Sequence, residues 1–252
     1  MIKKFVKTLV LIFLLFGVNG CSTKEDKSFV KSIFQTNGAS AVREHTDILL
    51  KSIVKYYEKL NKRNPSYYSK ENFKVIINQI QNNKNSVTLP LLAKKSNASY
   101  KDYLNIAFSE SYVKNRNDYL IAGIYKMLYW AYTIDRTHTV TTMQYDVEKI
   151  QEANKMMQVI QYRIQTSRNK DGNYLFLTWQ RAWQIEVLKK INKNQKIDLE
   201  KYSQKELLYP SNMSYQMISS NMIFTLQETL RYLGVEATNL SAQAIKSVFI
   251  FL

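Results

Sequence analysis

Apolar side chains recur at three- and four-residue intervals through most of the sequence, and this pattern restricts the chain to helical folds. The 252 residues include only six glycines and three prolines, so few positions interrupt a helix. No repeat of fixed period is found. We therefore predict an all-α protein, an irregular helical array or bundle of about seven to nine helices with no clear repeat. The predicted helices cover residues 28–36, 39–61, 69–83, 99–108, 119–134, 142–167, 174–192, 211–233 and 241–252.

Short polar segments mark the predicted helix ends. Ser69 and Ser99 are placed to cap helix starts, because a serine hydroxyl accepts a hydrogen bond from a free backbone N–H group. Gly234 closes the helix before it, and Val235 is placed for the apolar contact of a C-terminal cap. The pair Asn37-Gly38 predicts a break near the start, and residues 170–173 predict a tight turn between two antiparallel helices.

Residues 119–134 are apolar almost all round. A helix without a polar face belongs in the middle of a fold, so this segment is the predicted central helix. Within it, Ala122 and Gly123 would allow a neighbouring helix to approach closely. Residues 115–118, just before it, read as a tight connection, and residues 84–98 read as a loop.

The first twenty residues have the layout of a secretory signal. Three lysines lie among the first seven residues, an apolar run covers residues 9–16, and residues 17–20 are small or neutral. The apolar run is too short to span a bilayer. The sequence Val18-Asn19-Gly20-Cys21 then resembles the lipobox of bacterial lipoproteins, although Asn19 replaces the usual alanine or serine.

That resemblance implies cleavage before Cys21 and attachment of diacylglycerol and a fatty acid such as palmitate to this residue. It also implies the outer membrane, periplasmic side, because aspartate after the cysteine favours the inner membrane and Ser22 stands there instead. The expected organisation is a signal peptide over residues 1–20, the lipidated cysteine and a flexible tether over 21–27, and a single helical domain over 28–252. No cofactor is expected beyond the covalent lipid. Since Cys21 is the only cysteine, no internal disulfide forms.

The chain is strongly basic, and its charge is spread rather than clustered. Without the three lysines of the signal it has 33 basic and 20 acidic residues, a net charge of +13. The densest basic groups, residues 59–63 and 189–196, fall at predicted helix ends, where cations meet the helix dipole favourably. The expected partners are the membrane, through the lipid anchor, and an envelope protein or an anionic polymer. Nucleic acid is disfavoured, since no aromatic-plus-basic recognition motif is present.

Only one segment resembles an enzyme motif. Phe108-Ser109-Glu110-Ser111-Tyr112 is similar to the glutamate–serine pair of lytic transglycosylases, which would make Glu110 a general acid. The segment that comes after the pair in that family is missing here. The two histidines, His45 and His138, form no helical metal-binding pair, and no nucleophile elbow occurs.

Trp179 and Trp183 lie one helical turn apart and could form an aromatic surface that binds a sugar or another chain. Core packing within the predicted hairpin is the alternative explanation. Taken together, the sequence favours a non-enzymatic, lipid-anchored envelope protein that binds or organises another component. A cell-wall enzyme using Glu110, or a carrier of an apolar ligand within the helix array, remain alternatives.

Overall fold

The computed structural model describes the backbone of residues 24–134, 145–178, 190, 193–195 and 210–241, and the side chains of the same residues except 24–39 and 210–213. The chain forms two compact units, Met1–Ala39 and Ser40–Leu252. The core and the clefts belong to the second unit. The predicted signal peptide, Cys21, His138, the tryptophans Trp179 and Trp183, and nearly all of the last predicted helix lie outside the described residues.

The all-α prediction is confirmed. The described part contains six α-helices and no strand, fewer helices than the seven to nine that we predicted. They are α1 Lys24–Arg63, α2 Lys70–Gln81, α3 Tyr100–Ala107, α4 Arg116–Tyr132, α5 Val147–Thr166 and α6 Pro210–Tyr232. Two single-turn 3-10 helices, Pro65–Tyr67 and Pro90–Leu92, lie in the connections.

Helix α4 is the centre of the fold, as its apolar sequence predicts. All of its residues except Tyr129 and Trp130 are buried. It contacts α2, α3 and α5, and α5 in turn contacts α6. Gly123 is where α3 comes closest: a Cβ atom added there would lie 2.8 Å from Cδ2 of Leu104 and 3.2 Å from Cβ of Tyr103. The close approach predicted at Gly123 is confirmed.

The predicted caps are also confirmed. The Ser69 hydroxyl accepts a hydrogen bond from the Asn72 N–H group, and Ser99 forms a reciprocal capping box with Asp102. Gly234 has a φ of +77°, and the Val235 N–H group donates to the Leu230 carbonyl over 2.9 Å. That bond is part of the left-handed turn with which many helices end.

Three predicted boundaries are wrong. Helix α1 continues through Asn37-Gly38, since glycine and asparagine each cost only about 1 kcal/mol or less inside a helix. The same helix begins at Lys24, before the start that we predicted at residue 28. Residues 116–118 form the buried first turn of α4 rather than a connection.

The hairpin prediction is correct for the turn but wrong for the segment after it. Residues 170–173 form the predicted turn, yet residues 174–178 are not helical. Tyr174 instead pairs back with Arg168 in an isolated antiparallel bridge. The Leu175 N–H group donates to the Ser167 carbonyl, so the chain returns alongside the end of α5.

The chain after α6 runs along α5 in an irregular extended path. Three amide side chains, one turn apart on α5, fix it there. Gln151 bonds the Thr238 hydroxyl, while Asn154 and Gln158 both donate to the Thr238 carbonyl over 2.9 Å. The Gln158 amide oxygen also accepts from the Leu240 N–H group.

Candidate functional site

A cleft of about 770 Å³ lies between the loop after α3 and the turn after α5. Its volume falls in the usual range for sites that hold small molecules or a few units of a polymer. We call it the tyrosine cleft, because three tyrosines are among its lining residues. These lining residues are Tyr67, Glu110, Ser111, Tyr112, Val113, Arg116, Leu177 and the segment 168–175.

Arg116 holds the first wall of the cleft in place. Its guanidinium group donates to the backbone carbonyls of Ala107, Ser109 and Ser111 over 2.7 to 2.8 Å. The side chain is buried, and this burial lowers the pKa of the guanidinium group. Three carbonyls compensate the buried charge where a carboxylate would usually do so. The loop that carries Glu110 is therefore fixed to the first turn of α4.

The second wall is a tight turn with its own hydrogen-bond network. The amide oxygen of Asn169 accepts from the N–H groups of Asp171 and Asn173, over 3.0 and 2.8 Å. Gly172 has a φ of +78°, which glycine adopts without strain. These bonds keep the turn in one conformation.

Arg168 and Tyr174 form a joined pair on this wall. The guanidinium carbon lies 4.1 Å from the centre of the tyrosine ring, and the Nη2 group donates to the tyrosine hydroxyl over 2.7 Å. The Nη1 group donates to the Gly172 carbonyl. The guanidinium group lies over the ring and is also hydrogen-bonded to its hydroxyl, so the two side chains line the cleft together.

Asn64, directly after α1, holds two of the cleft's lining residues from behind. The Asn64 side chain makes two hydrogen bonds with Leu177, accepting from its N–H group over 3.1 Å and donating to its carbonyl over 3.2 Å. The Asn64 carbonyl also accepts from the N–H group of Tyr67. Asn64 itself is buried. One asparagine thus positions two cleft residues that are far apart in sequence.

The chemistry of the tyrosine cleft is mixed. Tyr112 is 83% exposed and presents nearly its whole ring to solvent. Glu110 and Asp171 supply carboxylates, while Arg168 and Lys170 supply cations. Aromatic rings beside polar groups of both signs suit a polar ligand with flat faces and several hydroxyl or charged groups.

The structure places Glu110 in this cleft, but on a loop rather than a helix. Its side chain is exposed. A general acid of the proposed type needs an apolar enclosure that keeps its proton on at neutral pH. Glu110 has no such enclosure among the described residues. Cys21, Trp179 and Trp183 cannot be placed relative to the cleft, since they lie outside the part that is described.

Sequence reasoning missed a second group of polar residues, buried at the start of α4. The Asp118 carboxylate accepts from the Tyr57 hydroxyl over 2.5 Å, the Asn72 amide over 2.9 Å and the Ser69 N–H group over 3.1 Å. Burial raises the pKa of Asp118 to about 6, against the opposing effect of these donors. The residue is inaccessible to solvent, so we interpret it as a structural tie between α1, α2 and α4.

No group of three or more metal-binding side chains occurs among the described residues. His45, the histidine that lies within them, makes a hydrogen bond of 3.0 Å to the Thr229 hydroxyl. Its ring also meets the Tyr232 ring edge-on at 5.5 Å. Burial lowers the pKa of His45, while Glu44 and Glu228 act in the opposite direction.

Within the same part of the chain, no helix has both the length and the apolarity of a membrane span. Comparison with known proteins adds no relative: no protein-family model, no curated protein and no solved structure matches this chain.

Proposed function

We propose that the chain is a lipid-anchored envelope protein that binds a cell-wall glycan in the tyrosine cleft without cleaving it. The observation that carries the proposal is the cleft itself, which is lined by three tyrosines and by Arg168 lying over one of them. Sugar rings present flat apolar faces edged by hydroxyl groups. Tyrosine and arginine contribute both the flat surface and the hydrogen-bond donors that such rings need.

The sequence supports the location. The signal layout and the lipobox-like residues 18–21 favour a lipid on Cys21, and two or three acyl chains would make a stable anchor. Ser22 favours the outer membrane by the same resemblance. A protein held there at its N-terminus would face the periplasm, where cell-wall glycan is abundant.

Glycan fits the cleft better than a folded protein partner does. Stable protein interfaces are broad and cover roughly 800 Å² on each partner, whereas the tyrosine cleft is a concave site for a few ligand units. Its carboxylates and cations can pair with the acidic and amino groups of a cell-wall chain. The two charge signs occur together, so a purely anionic polymer is a poorer match.

Co-sedimentation with purified, insoluble cell-wall sacculi tests the proposal. Tyr112→Ala and Arg168→Ala should each weaken binding by about tenfold, because each removes a flat contact or a charged donor. Matched controls are Tyr232→Ala and Arg43→Ala, which change exposed residues of the same types that do not line the cleft. Equal binding by all four variants and the parent protein would contradict the proposal.

The enzymatic alternative keeps one observation in its favour, which is that Glu110 lines the same cleft. The matched test is release of soluble fragments from sacculi by the parent protein and by Glu110→Gln. As a binding protein, the chain releases none, and Glu110→Gln binds within about threefold of the parent. Fragment release that is lost in Glu110→Gln, with the fold intact by circular dichroism, would establish the enzyme instead.

A further inference from the structure

A second concave surface lies between the end of α1 and the start of α2, and it differs in chemistry from the tyrosine cleft. Its volume is about 600 Å³. The floor is apolar and aromatic, formed by Pro65, Tyr68 and Phe73, while Lys62, Lys70 and Lys74 stand around it. Glu58 and Asn61 complete the lining. We call this surface the lysine groove.

The aromatic rings of the floor pack against each other and against the buried ring of Tyr57. The Phe73 ring packs 4.9 Å from the Tyr57 ring on its inner side and 6.2 Å from the Tyr68 ring. Phe73 and Tyr68 are only half-buried, so part of each ring remains at the surface. Tyrosine is enriched at the level of lipid headgroups, and phenylalanine is common on the apolar face of segments that lie in a membrane surface.

The cations around the floor outnumber the nearby carboxylates. Residues 58–74 contain five lysine or arginine residues and two glutamates. None of the ion pairs in the described part of the chain involves Lys62, Lys70 or Lys74. Burial lowers the pKa of Lys59, and the nearby charges of Arg63 and Lys62 lower it further. Lys62 is the groove residue that takes part in this repulsion, and an anion beside it would relieve the repulsion.

We propose that the lysine groove is a docking surface for anionic phospholipid headgroups of a membrane. The three lysines would meet lipid phosphates, and Tyr68 and Phe73 would lie at the boundary between headgroups and acyl chains. A soluble anionic polymer would satisfy the lysines but leave the apolar floor exposed to water, so a membrane surface is the better match. This contact is separate from the covalent anchor and from the tyrosine cleft.

Vesicle flotation tests this docking with the full chain carrying Cys21→Ser, which has no site for the lipid. The vesicles contain phosphatidylcholine alone or phosphatidylcholine and phosphatidylglycerol in equal parts. Replacing Lys62, Lys70 and Lys74 together by glutamine should weaken binding to the anionic vesicles by about a hundredfold, at roughly fivefold per lysine. The matched control replaces Lys94, Lys114 and Lys155, which are exposed elsewhere, and should change binding by less than about threefold.

Every variant shares the same first twenty residues, so the difference between the two triple variants reports on the groove alone. Equal weakening by both would show only a general charge effect and would overturn the proposal. Equal binding to both kinds of vesicle would overturn it as well.

A local readout separates a membrane from a polymer partner. Ser66 is exposed beside Pro65, and in the Cys21→Ser background Ser66→Cys provides the only thiol for an environment-sensitive dye. Anionic vesicles should shift its emission to the blue, while a dye on Ser96→Cys, exposed elsewhere, should not respond. If the dye at Ser66 responds to a soluble polyanion but not to vesicles, the groove binds a polymer and the proposal is wrong.

Discussion

Asp118 shows what one buried carboxylate contributes at the centre of a helical fold. Three donors from α1 and the start of α2 converge on it, and no cation in the described part of the chain pairs with it. Tyr57 and Asn72, which supply two of the bonds, lie 61 and 46 residues away in sequence. The carboxylate therefore fixes the relative positions of three helices, at the cost of holding a charge in an apolar setting.

This arrangement predicts a pH effect on stability. The pKa of Asp118 is about 6 in the folded protein and 3.8 in the unfolded chain, so the folded state favours the protonated form. Its stabilising contribution is complete below pH 3.8 and is lost as the pH rises through 6. Asp118→Asn keeps hydrogen-bonding groups without the charge. We expect the variant to gain about 2 to 3 kcal/mol relative to the parent between about pH 4 and pH 7.5.

Urea unfolding at several pH values measures this gain as a difference between the two proteins. Other titrating groups, such as His45, are common to both and cancel in the comparison. An equal pH dependence in parent and variant would show that the burial of Asp118 has no such effect.

The caps could be predicted from sequence, and Asp118 could not, for one physical reason. Ser69 and Ser99 bond to groups three residues away, so both partners of each hydrogen bond lie in one short segment of sequence. Asp118 needs Tyr57 and Asn72, and only the packed fold brings these together. Polar residues 115–118 precede the apolar segment 119–134, but a surface connection has the same composition.

At the level of helices, Gly123 and Gly234 have different roles, and replacement by alanine has a different effect at each. Gly123 lies where α3 and α4 touch, and Gly234 ends α6 with a positive φ. An alanine at Gly123 would collide with Leu104. An alanine at Gly234 would meet no atom within 4 Å, so only its backbone conformation would be strained.

Gly123→Ala should destabilise the protein by about 1 to 3 kcal/mol, although alanine is the better helix former. Leu104 supplies the two closest atoms, so Leu104→Ala should remove most of the additional cost. A double-mutant cycle by urea unfolding measures the coupling between the two sites. Additive losses would mean that Gly123 does not set the distance between the helices.

Gly234→Ala should cost about 1 to 2 kcal/mol, because the left-handed conformation is unfavourable for a residue with a side chain. Gly234→Asn should cost less, since asparagine tolerates that conformation, as Asn83 does at the end of α2 with a φ of 53°. Thermal unfolding of the two variants provides the comparison. Equal losses of stability in the two variants would show that the left-handed conformation does not account for the effect.

Element boundaries were predictable where local chemistry decides them and not where distant contacts do. Gly234 ends α6 through bonds within its own turn. Residues 174–178, in contrast, are not helical, and their Leu177 is bound by Asn64, which lies 113 residues earlier in the chain. The tyrosine cleft depends on that same contact. Of its residues, sequence reasoning therefore selected Glu110 but missed Arg168.

For the whole molecule, the lipid on Cys21 remains a prediction from the sequence. We expect the parent protein to incorporate labelled palmitate and to stay in the membrane fraction after a high-salt wash. Cys21→Ser should lose the label, because no thiol remains to carry the lipid. Ser22→Asp should keep the label but move toward the inner membrane on a density gradient. Equal labelling of the parent protein and Cys21→Ser would refute the anchor.

Asn64 gives the cleft a mechanical property. It is bound to the last turn of α1 through the Leu60 carbonyl and holds Tyr67 and Leu177 on the cleft side. A force on that end of the helix would therefore act on two cleft residues through the hydrogen bonds of Asn64. A protein tethered to one envelope layer while gripping another would feel such a load, and its grip would then depend on tension as well as on ligand concentration.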